Sequence, residues 1–223
     1  DKAAATLSIE PVQPADWVKQ SLAGLQPVRA GRFLVHGAHD RGRVTANDIA
    51  IEIEAALAFG TGHHGTTRGC LLALDDLAKR RRSARVLDLG TGSGVLAIAA
   101  AKRLHTRVVA SDIDRVAVEA ARSNARLNRA GAAITFVRAA GATARAIAAG
   151  APYDLIFANI LLGPLVRLAV PLARLAARGG RVVLSGLLPT QANAALAVYR
   201  AQGLTLEKRF PVDGWMTLVL RRP

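Results

Sequence analysis

The chain has 223 residues, 51% of them apolar, which suits one full α/β domain with a short appendage. Its formal net charge of +14 favours anionic partners, but only 4% of residues are aromatic, and none interleave with the basic run Lys79-Arg80-Arg81-Arg82, so a stacking platform for single-stranded nucleic acid has no support. One cysteine, Cys70, excludes an internal disulfide framework and a thiolate metal cluster, and the longest apolar run, Val95 to Ala101, is far short of the roughly 20 residues that span a bilayer.

Residues 1 to about 45 are punctuated by Pro11, Pro14, Pro27, Gly31, Gly37 and Gly42. They read as a linking segment, with a short helix opening at Asp16-Trp17-Val18 and a short strand at Arg32-Phe33-Leu34-Val35. Asp1 to Ala5 shows neither an initiator Met nor a signal pattern and reads as a cut. The main domain is expected over 46–223. Ile49, Ile51 and Ile53 alternate with polar or small residues, the period of a half-buried strand. A Gly-rich loop, Phe59 to Gly65, precedes a helix from Thr66 to about Arg81 with Leu71, Leu74 and Leu77 on one face. The run Lys79 to Arg82 then reads as a solvated helix end, where cations suit the helix dipole. Cys70 reads as a core filler.

From there strands and helices alternate. Strands are expected at Arg85–Leu89, Val108–Asp112, Ile134–Val137, Tyr153–Ala158 and Arg181–Leu184. Helices are expected at Val95–Leu104, Arg115–Arg129, Thr143–Ala149, from about Asn159 to Ala177 with Gly179-Gly180 as its stop, and at Gln191–Ala201. Such alternation builds a parallel sheet covered on both faces. The last two strands, Leu204–Phe210 and Trp215–Leu220, have no helix between them and should pair as an antiparallel hairpin. A seven-stranded, mostly parallel sheet closed by such a hairpin is the α/β, Rossmann-like architecture of class I methyltransferases.

The chemistry concentrates at Asp88-Leu89-Gly90-Thr91-Gly92-Ser93-Gly94, where a strand runs into a helix at the carboxyl end of the sheet. Gly90, Gly92 and Gly94 let the backbone turn tightly against a ligand. A dinucleotide fingerprint needs G-x-G-x-x-G, and its last position here is Val95; a P-loop needs a Lys, and none is near. Asp88, two residues before the first glycine, would repel a pyrophosphate and suits the cationic end of an amino-acid moiety. Asp112, ending the second strand, can accept both hydroxyls of a ribose or cap its loop, and Asp114 reads as a helix N-cap. Asn159 ends the fourth strand, where its amide orients an amine or a cofactor's amino-acid part, or caps the helix. The loop Phe59-Gly60-Thr61-Gly62-His63-His64-Gly65-Thr66-Thr67 reads as a lid or cofactor clamp, with Thr66 or Thr67 also capping the helix. Adjacent His63 and His64 diverge and have no acidic or Cys partner nearby, so no metal is assigned.

Taken together, the blocks Ala58 to Thr67, Val86 to Ala100, Asp112-Ile113-Asp114, Asn159 to Leu165 and Leu184 to Leu188 resemble the ribosomal protein L-eleven methyltransferase (PrmA) family over about residues 16–221. The resemblance implies that Thr67, Gly90, Asp112 and Asn159 contact S-adenosylmethionine, which becomes S-adenosylhomocysteine. It also implies methyl transfer to lysine side chains and the N-terminal amine of a large-subunit ribosomal protein. The single cysteine fits a reduced, cytoplasmic setting, the Arg-rich surface suits proximity to ribosomal RNA, and the short apolar runs argue against a membrane. Two departures stand out: the family loop usually reads Thr-His-Pro-Thr-Thr where this chain has His63-His64-Gly65-Thr66-Thr67, and the chain is expected to begin after the family's separate N-terminal substrate-recognition domain, in the connecting segment. The amine must attack as a neutral base, and no general base stands out; Asn159 and the carbonyl of Ile160 are the groups expected to orient it. Three other readings remain: a methyltransferase of another protein or a small amine, a non-catalytic cofactor-binding module on the ribosome, and a nicotinamide-dependent dehydrogenase, against which Val95 and the terminal hairpin argue.

Overall fold

The computed structural model describes residues 27–53, 64–80 and 84–223. The expected helix at Asp16, the clamp residues Phe59, Gly60 and Thr61, His63, and Arg81 and Arg82 lie outside them. The elements are β1 (Val28–Ala30), β2 (Phe33–His36), a 3-10 turn (Ala38–Arg43), β3 (Ile49–Glu52), α1 (His64–Arg80), β4 (Arg85–Leu89), α2 (Val95–Leu104), β5 (Arg107–Asp112), α3 (Arg115–Leu127), β6 (Ile134–Arg138), α4 (Arg145–Gly150), β7 (Tyr153–Asn159), α5 (Leu162–Leu175), β8 (Ala176–Leu187), α6 (Pro189–Arg200), β9 (Thr205–Val212) and β10 (Trp215–Arg221).

Seven strands form one sheet in the order β6-β5-β4-β7-β8-β10-β9. β6, β5, β4, β7 and β8 run parallel, and β10 is antiparallel to both neighbours. Alternate residues feed opposite faces. Val86, Leu155, Phe157, Val183 and Val219 join the core under α1 and α2. Leu87, Ile156, Ala158, Val182, Leu184 and Leu218 join the core under α4, α5 and α6. That is the period-2 pattern of strands buried on both faces. The chain leaves β4 first toward β5 and β6 and later returns to β7 on its other side, so the order reverses at β4. Ligands of such sheets bind at that reversal, beyond the carboxyl ends.

The hairpin forms as expected, around a turn of two residues. Trp215 pairs with Val212, and Asp213 and Gly214 between them take φ of +49° and +77°. Asp-Gly at two positive-φ positions matches the right-handed strand twist.

β1, β2 and β3 make a second, three-stranded sheet, with β2–β3 parallel. This sheet straddles residue 45, since β2 bonds to β3 across it. Ala30, Phe33, Val35, Ile51 and Ile53 seat it on α1 and α2. Its presence explains α2: Val95 to Ala101 are all buried because large sheet and small sheet cover the helix from both sides. Lys102, at the end of that helix, donates to the Ala50 carbonyl at 2.5 Å. Asn128 fastens β3 further: its Oδ1 accepts the Glu52 N–H at 2.9 Å and its Nδ2 donates to the Glu52 carbonyl at 2.6 Å.

Between α5 and β8 the structure corrects the expected boundaries. α5 stops at Leu175, and Gly179-Gly180 belong to the irregular start of β8 rather than ending a helix. Tyr153 pairs with Ala176 but Leu155 with Arg181, so residues 177–180 bulge out of the ladder. The chain end satisfies the bulge: Gly179 donates to Arg222 O at 2.7 Å and Arg222 to Gly180 O at 3.0 Å.

Candidate functional site

β4, β5 and β7 end side by side, and their last residues carry the site. Leaving β4, the Gly90 and Thr91 N–H groups both donate to Ser111 O of β5, at 2.8 and 2.9 Å. Gly90, Gly92 and Gly94 take φ of +73°, +53° and +83°, a region L side chains avoid. The turn is locked from below. Asp88 Oδ2 accepts the Thr91 hydroxyl at 2.6 Å and the Ala97 N–H at 3.0 Å, tying β4 to the start of α2. Asn124 donates to Ser93 O at 2.9 Å from α3.

Two connected lobes meet at Gly90 and Ile160, which line both. The larger, about 370 Å³, is walled by Leu89, Ile113, Ala139, Pro164 and Leu168, with Asp112 at its polar edge. The smaller, about 240 Å³, is lined by Thr67, Gly92, Asn159, Ile160, Leu161 and Trp215. Asp112 Oδ2 accepts the Gly92 N–H at 2.9 Å, and Oδ1 the Asp114 N–H at 3.1 Å. Each carboxylate oxygen has two lone pairs, so one on each is left to accept a hydroxyl. Asp114 itself caps α3, accepting the Val116 N–H at 2.9 Å, as the sequence predicts.

Of the expected site residues, Thr67, Gly90, Gly92, Asp112, Asn159 and Ile160 all line this cavity. Gly94 does not; it caps α2, and a Cβ there would lie 3.0 Å from Ala121 Cβ, so this glycine lets α2 and α3 approach. Asp88 stands beneath the turn, 1% exposed, with Oδ1 lacking a hydrogen-bond partner among the described residues. Burial, with a smaller push from Asp112, raises its pKa to about 6. Thr66 and Thr67 lie in the first turn of α1 rather than at its N-cap, because the helix begins at His64. Cys70 is fully buried core, as expected. Lys79 and Arg80, both exposed, end α1 in i,i+4 pairs with buried Asp75 and partly buried Asp76.

Three contributors lie outside the expected site residues. Ile113, 68% exposed, lines the larger lobe directly after Asp112. Trp215 enters the smaller lobe because the Asp213-Gly214 turn brings β10 beside α1. Gly186, at φ +81°, packs its Cα against the Ile160 carbonyl so closely that no Cβ fits. Its signal is a glycine two residues after the apolar run Val182-Val183-Leu184. Among the described residues no group of three or more His, Cys, Asp or Glu could hold a metal, and no helix is long and apolar enough to cross a membrane.

A doubly wound sheet closed by an antiparallel β10, with its cavity at the ends of β4, β5 and β7, defines a class I methyltransferase. Comparison with known proteins narrows the class. The family model described as ribosomal protein L11 methyltransferase (PrmA) matches residues 1–223, and the chain belongs to that family. A ribosomal protein L11 methyltransferase of Bradyrhizobium diazoefficiens is 57% identical over 217 residues, covering 97% of this chain and 74% of that protein. One from Rhodopseudomonas palustris is 52% identical over 222 residues, covering 100% of this chain and 75% of its own length. The crystal structure of a ribosomal protein L11 methylase from Lactobacillus delbrueckii subsp. bulgaricus superposes with a TM-score of 0.79 at 27% identity, covering 89% of this chain and 100% of that one.

Proposed function

We propose that this chain transfers methyl groups from S-adenosylmethionine to amino groups of the large-subunit ribosomal protein L11, on lysine side chains and the N-terminal amine, leaving S-adenosylhomocysteine. The observation that carries the reading is the placement of Asp112 and Asn159 on the strands flanking β4, on either side of Gly90. The apolar lobe with the free lone pairs of Asp112 fits an adenosine. The smaller lobe, with the Thr67 hydroxyl and the Asn159 amide, fits an amino-acid tail and an incoming amine. S-adenosylmethionine supplies a methyl carbon already activated by a sulfonium. The protein therefore has to hold, orient and desolvate the amine. A free lysine near pKa 10.4 costs roughly 4 kcal/mol to deprotonate at neutral pH, and the half-enclosed lobe reduces that cost. No His or carboxylate lines this lobe among the described residues, so the proton leaves to solvent while the Asn159 amide oxygen and the Ile160 carbonyl accept from the amine. Asp88 acts from beneath, through its charge. Phe59, Gly60 and Thr61, outside the described residues, are proposed as further cofactor contacts, and the reading assigns no metal.

We take the catalytic domain as residues 46–223, with β1 and β2 of the 1–45 segment docked on it through β3, α1 and α2. A cytoplasmic location follows from a ribosomal substrate. Proximity to ribosomal RNA is favoured by one observation: Arg122, Arg126, Arg129 and Arg138 are exposed along α3 and the edge strand β6 with no carboxylate paired to them among the described residues. RNA binding along that edge should weaken steeply with salt.

The test is calorimetry of the chain with S-adenosylmethionine and, separately, NAD, followed by methylation of purified L11. Binding of the first alone, with radiolabel incorporated into L11, is expected. Binding of NAD alone would return the site to a dehydrogenase.

A further inference from the structure

Beneath the smaller lobe lies a buried polar chain that the reaction itself does not use. Ser185, Thr217 and Thr66 are 0%, 1% and 2% exposed. Ser185 Oγ lies 3.2 Å from the Thr66 carbonyl and 2.8 Å from Thr217 Oγ1. A carbonyl only accepts, so the single Ser185 proton goes to Thr66, and the Thr217 hydroxyl donates to Ser185. The direction of the chain is thereby fixed, from β10 through β8 to the first turn of α1.

Local geometry is shaped to make this contact. Met216 pairs with Leu187 and Leu218 with Leu184, so Thr217 faces two residues, Ser185 and Gly186, across a β-bulge. A bulge of this kind re-aims side chains. Gly69 lies against Thr217 Oγ1 with no room for a Cβ, which lets α1 come down onto β10. Ser185 also holds the end of β7: it pairs with Asn159, and its carbonyl accepts the Ile160 N–H at 3.2 Å. One residue thus grips both walls of the lobe, α1 beside Thr67 and β7 at Asn159.

We propose that Ser185 is a positioning residue that sets the separation of Thr67 and Asn159, and so tunes recognition of a ligand's amino-acid tail without touching its nucleoside. The inference rests on the cofactor reading above. Its asymmetry is what a merely structural role lacks: none of the three hydroxyl residues lines the larger lobe, built on Asp112, Ile113, Ala139 and Leu168, and Ser185 reaches that lobe only through its backbone carbonyl at Ile160, which the hydroxyl variants leave in place.

The experiment compares two probes on the full chain by calorimetry: S-adenosylhomocysteine, which carries the amino-acid tail, and 5′-methylthioadenosine, which lacks it. Ser185→Ala and Thr217→Val should weaken S-adenosylhomocysteine by up to about tenfold, the ceiling set if the worth of the lost internal hydrogen bond is spent on re-seating Thr67 against Asn159. Both should leave 5′-methylthioadenosine within about twofold of wild type, and Thr217→Ser, which keeps the hydroxyl, should bind S-adenosylhomocysteine as tightly as wild type. Parallel weakening of the two probes, or no change in either, overturns the proposal while leaving the cofactor reading intact. A wild-type chain that binds neither probe overturns both. If Ser185→Ala does not fold, the Thr217→Val and Thr217→Ser pair decides by the same comparison.

Discussion

Asp112 is fastened to the turn it serves: its Oδ2 accepts the Gly92 N–H at 2.9 Å, so carboxylate and glycine loop hold each other in place. Asp112→Ala removes both that anchor and the acceptor for a ribose. Two hydrogen bonds to a charged group, at about 1.5 kcal/mol each or more, correspond to a loss of roughly 100-fold or more in affinity for S-adenosylhomocysteine. Asp114→Ala, two residues on, removes only the cap on Val116. It should lower stability by about 1 kcal/mol and leave the affinity unchanged. Calorimetry and denaturant unfolding on both variants separate these effects. Equal affinities for Asp112→Ala and wild type would remove Asp112 from the site.

Gly90 joins the two lobes because it has no side chain. At φ +73° an added Cβ would stand 2.5 Å from Ile160 Cγ2. Gly90→Ala should therefore cost about 1–2 kcal/mol of backbone strain, plus the clash, and weaken ligand binding together with stability. Pairing it with Ile160→Ala tests the mechanism. The double variant should recover the clash but not the strain, so a double-mutant cycle should show a favourable coupling. Additive losses would mean that the two residues do not meet.

Much of this was legible from the residues. The strand-to-helix glycine turn, the acid ending β5 and the amide ending β7 all carry local signatures, because each needs a particular residue type at an element boundary. Val95–Leu104 and the terminal hairpin were likewise readable from period and turn chemistry. Three things were not. The small sheet pairs β2 with β3 in parallel across the turn of Ala38–Arg43, and parallel pairing between non-adjacent segments leaves no short-range mark. The irregular start of β8 depends on Arg222 at the far end of the chain. The link between Ser185 and Thr66 spans 119 residues and arises only when α1 docks on β8.

Cys70 offers a probe of that docking. It is 0% exposed, and burial pushes its thiol up to about 12, with Ser185 and Thr217 beside it. The thiolate is the reactive form, so a disulfide reagent at pH 8 should leave the folded chain unmodified and titrate one thiol in denaturant. The reaction rate under native conditions then reports how often α1 lifts off the sheet. Ser185→Ala should speed it, and a saturating ligand should slow it. Rapid native modification would contradict the packing of α1 on β8 and β10.

Asp88 sets a pH dependence opposite to that of an ordinary ion-paired carboxylate. Its folded pKa, about 6, lies above the value near 3.9 of an unfolded chain. Between those values the folded state binds the extra proton, so this group's contribution to stability grows as pH falls through 6 and is complete below about 4. At pH 7 the buried carboxylate is ionised and costs on the order of 3 kcal/mol. Asp48 runs the other way: the Arg29 guanidinium and the Thr45 amide and hydroxyl hold it at about 2, so its contribution is present above about 4 and lost as pH falls through 2. The two windows barely overlap. Asp88→Asn keeps an oxygen to accept from Thr91 and Ala97 and removes the charge. Measured by urea unfolding, the variant should gain on wild type by up to about 3 kcal/mol between pH 4 and pH 7. It should also bind S-adenosylmethionine more weakly at pH 7, because the charge that destabilises the fold is the one that favours a cationic ligand above it. A difference between variant and wild type that stays flat with pH would mean that Asp88 titrates normally. A gain in stability with no loss of affinity would leave its charge without a role in the site.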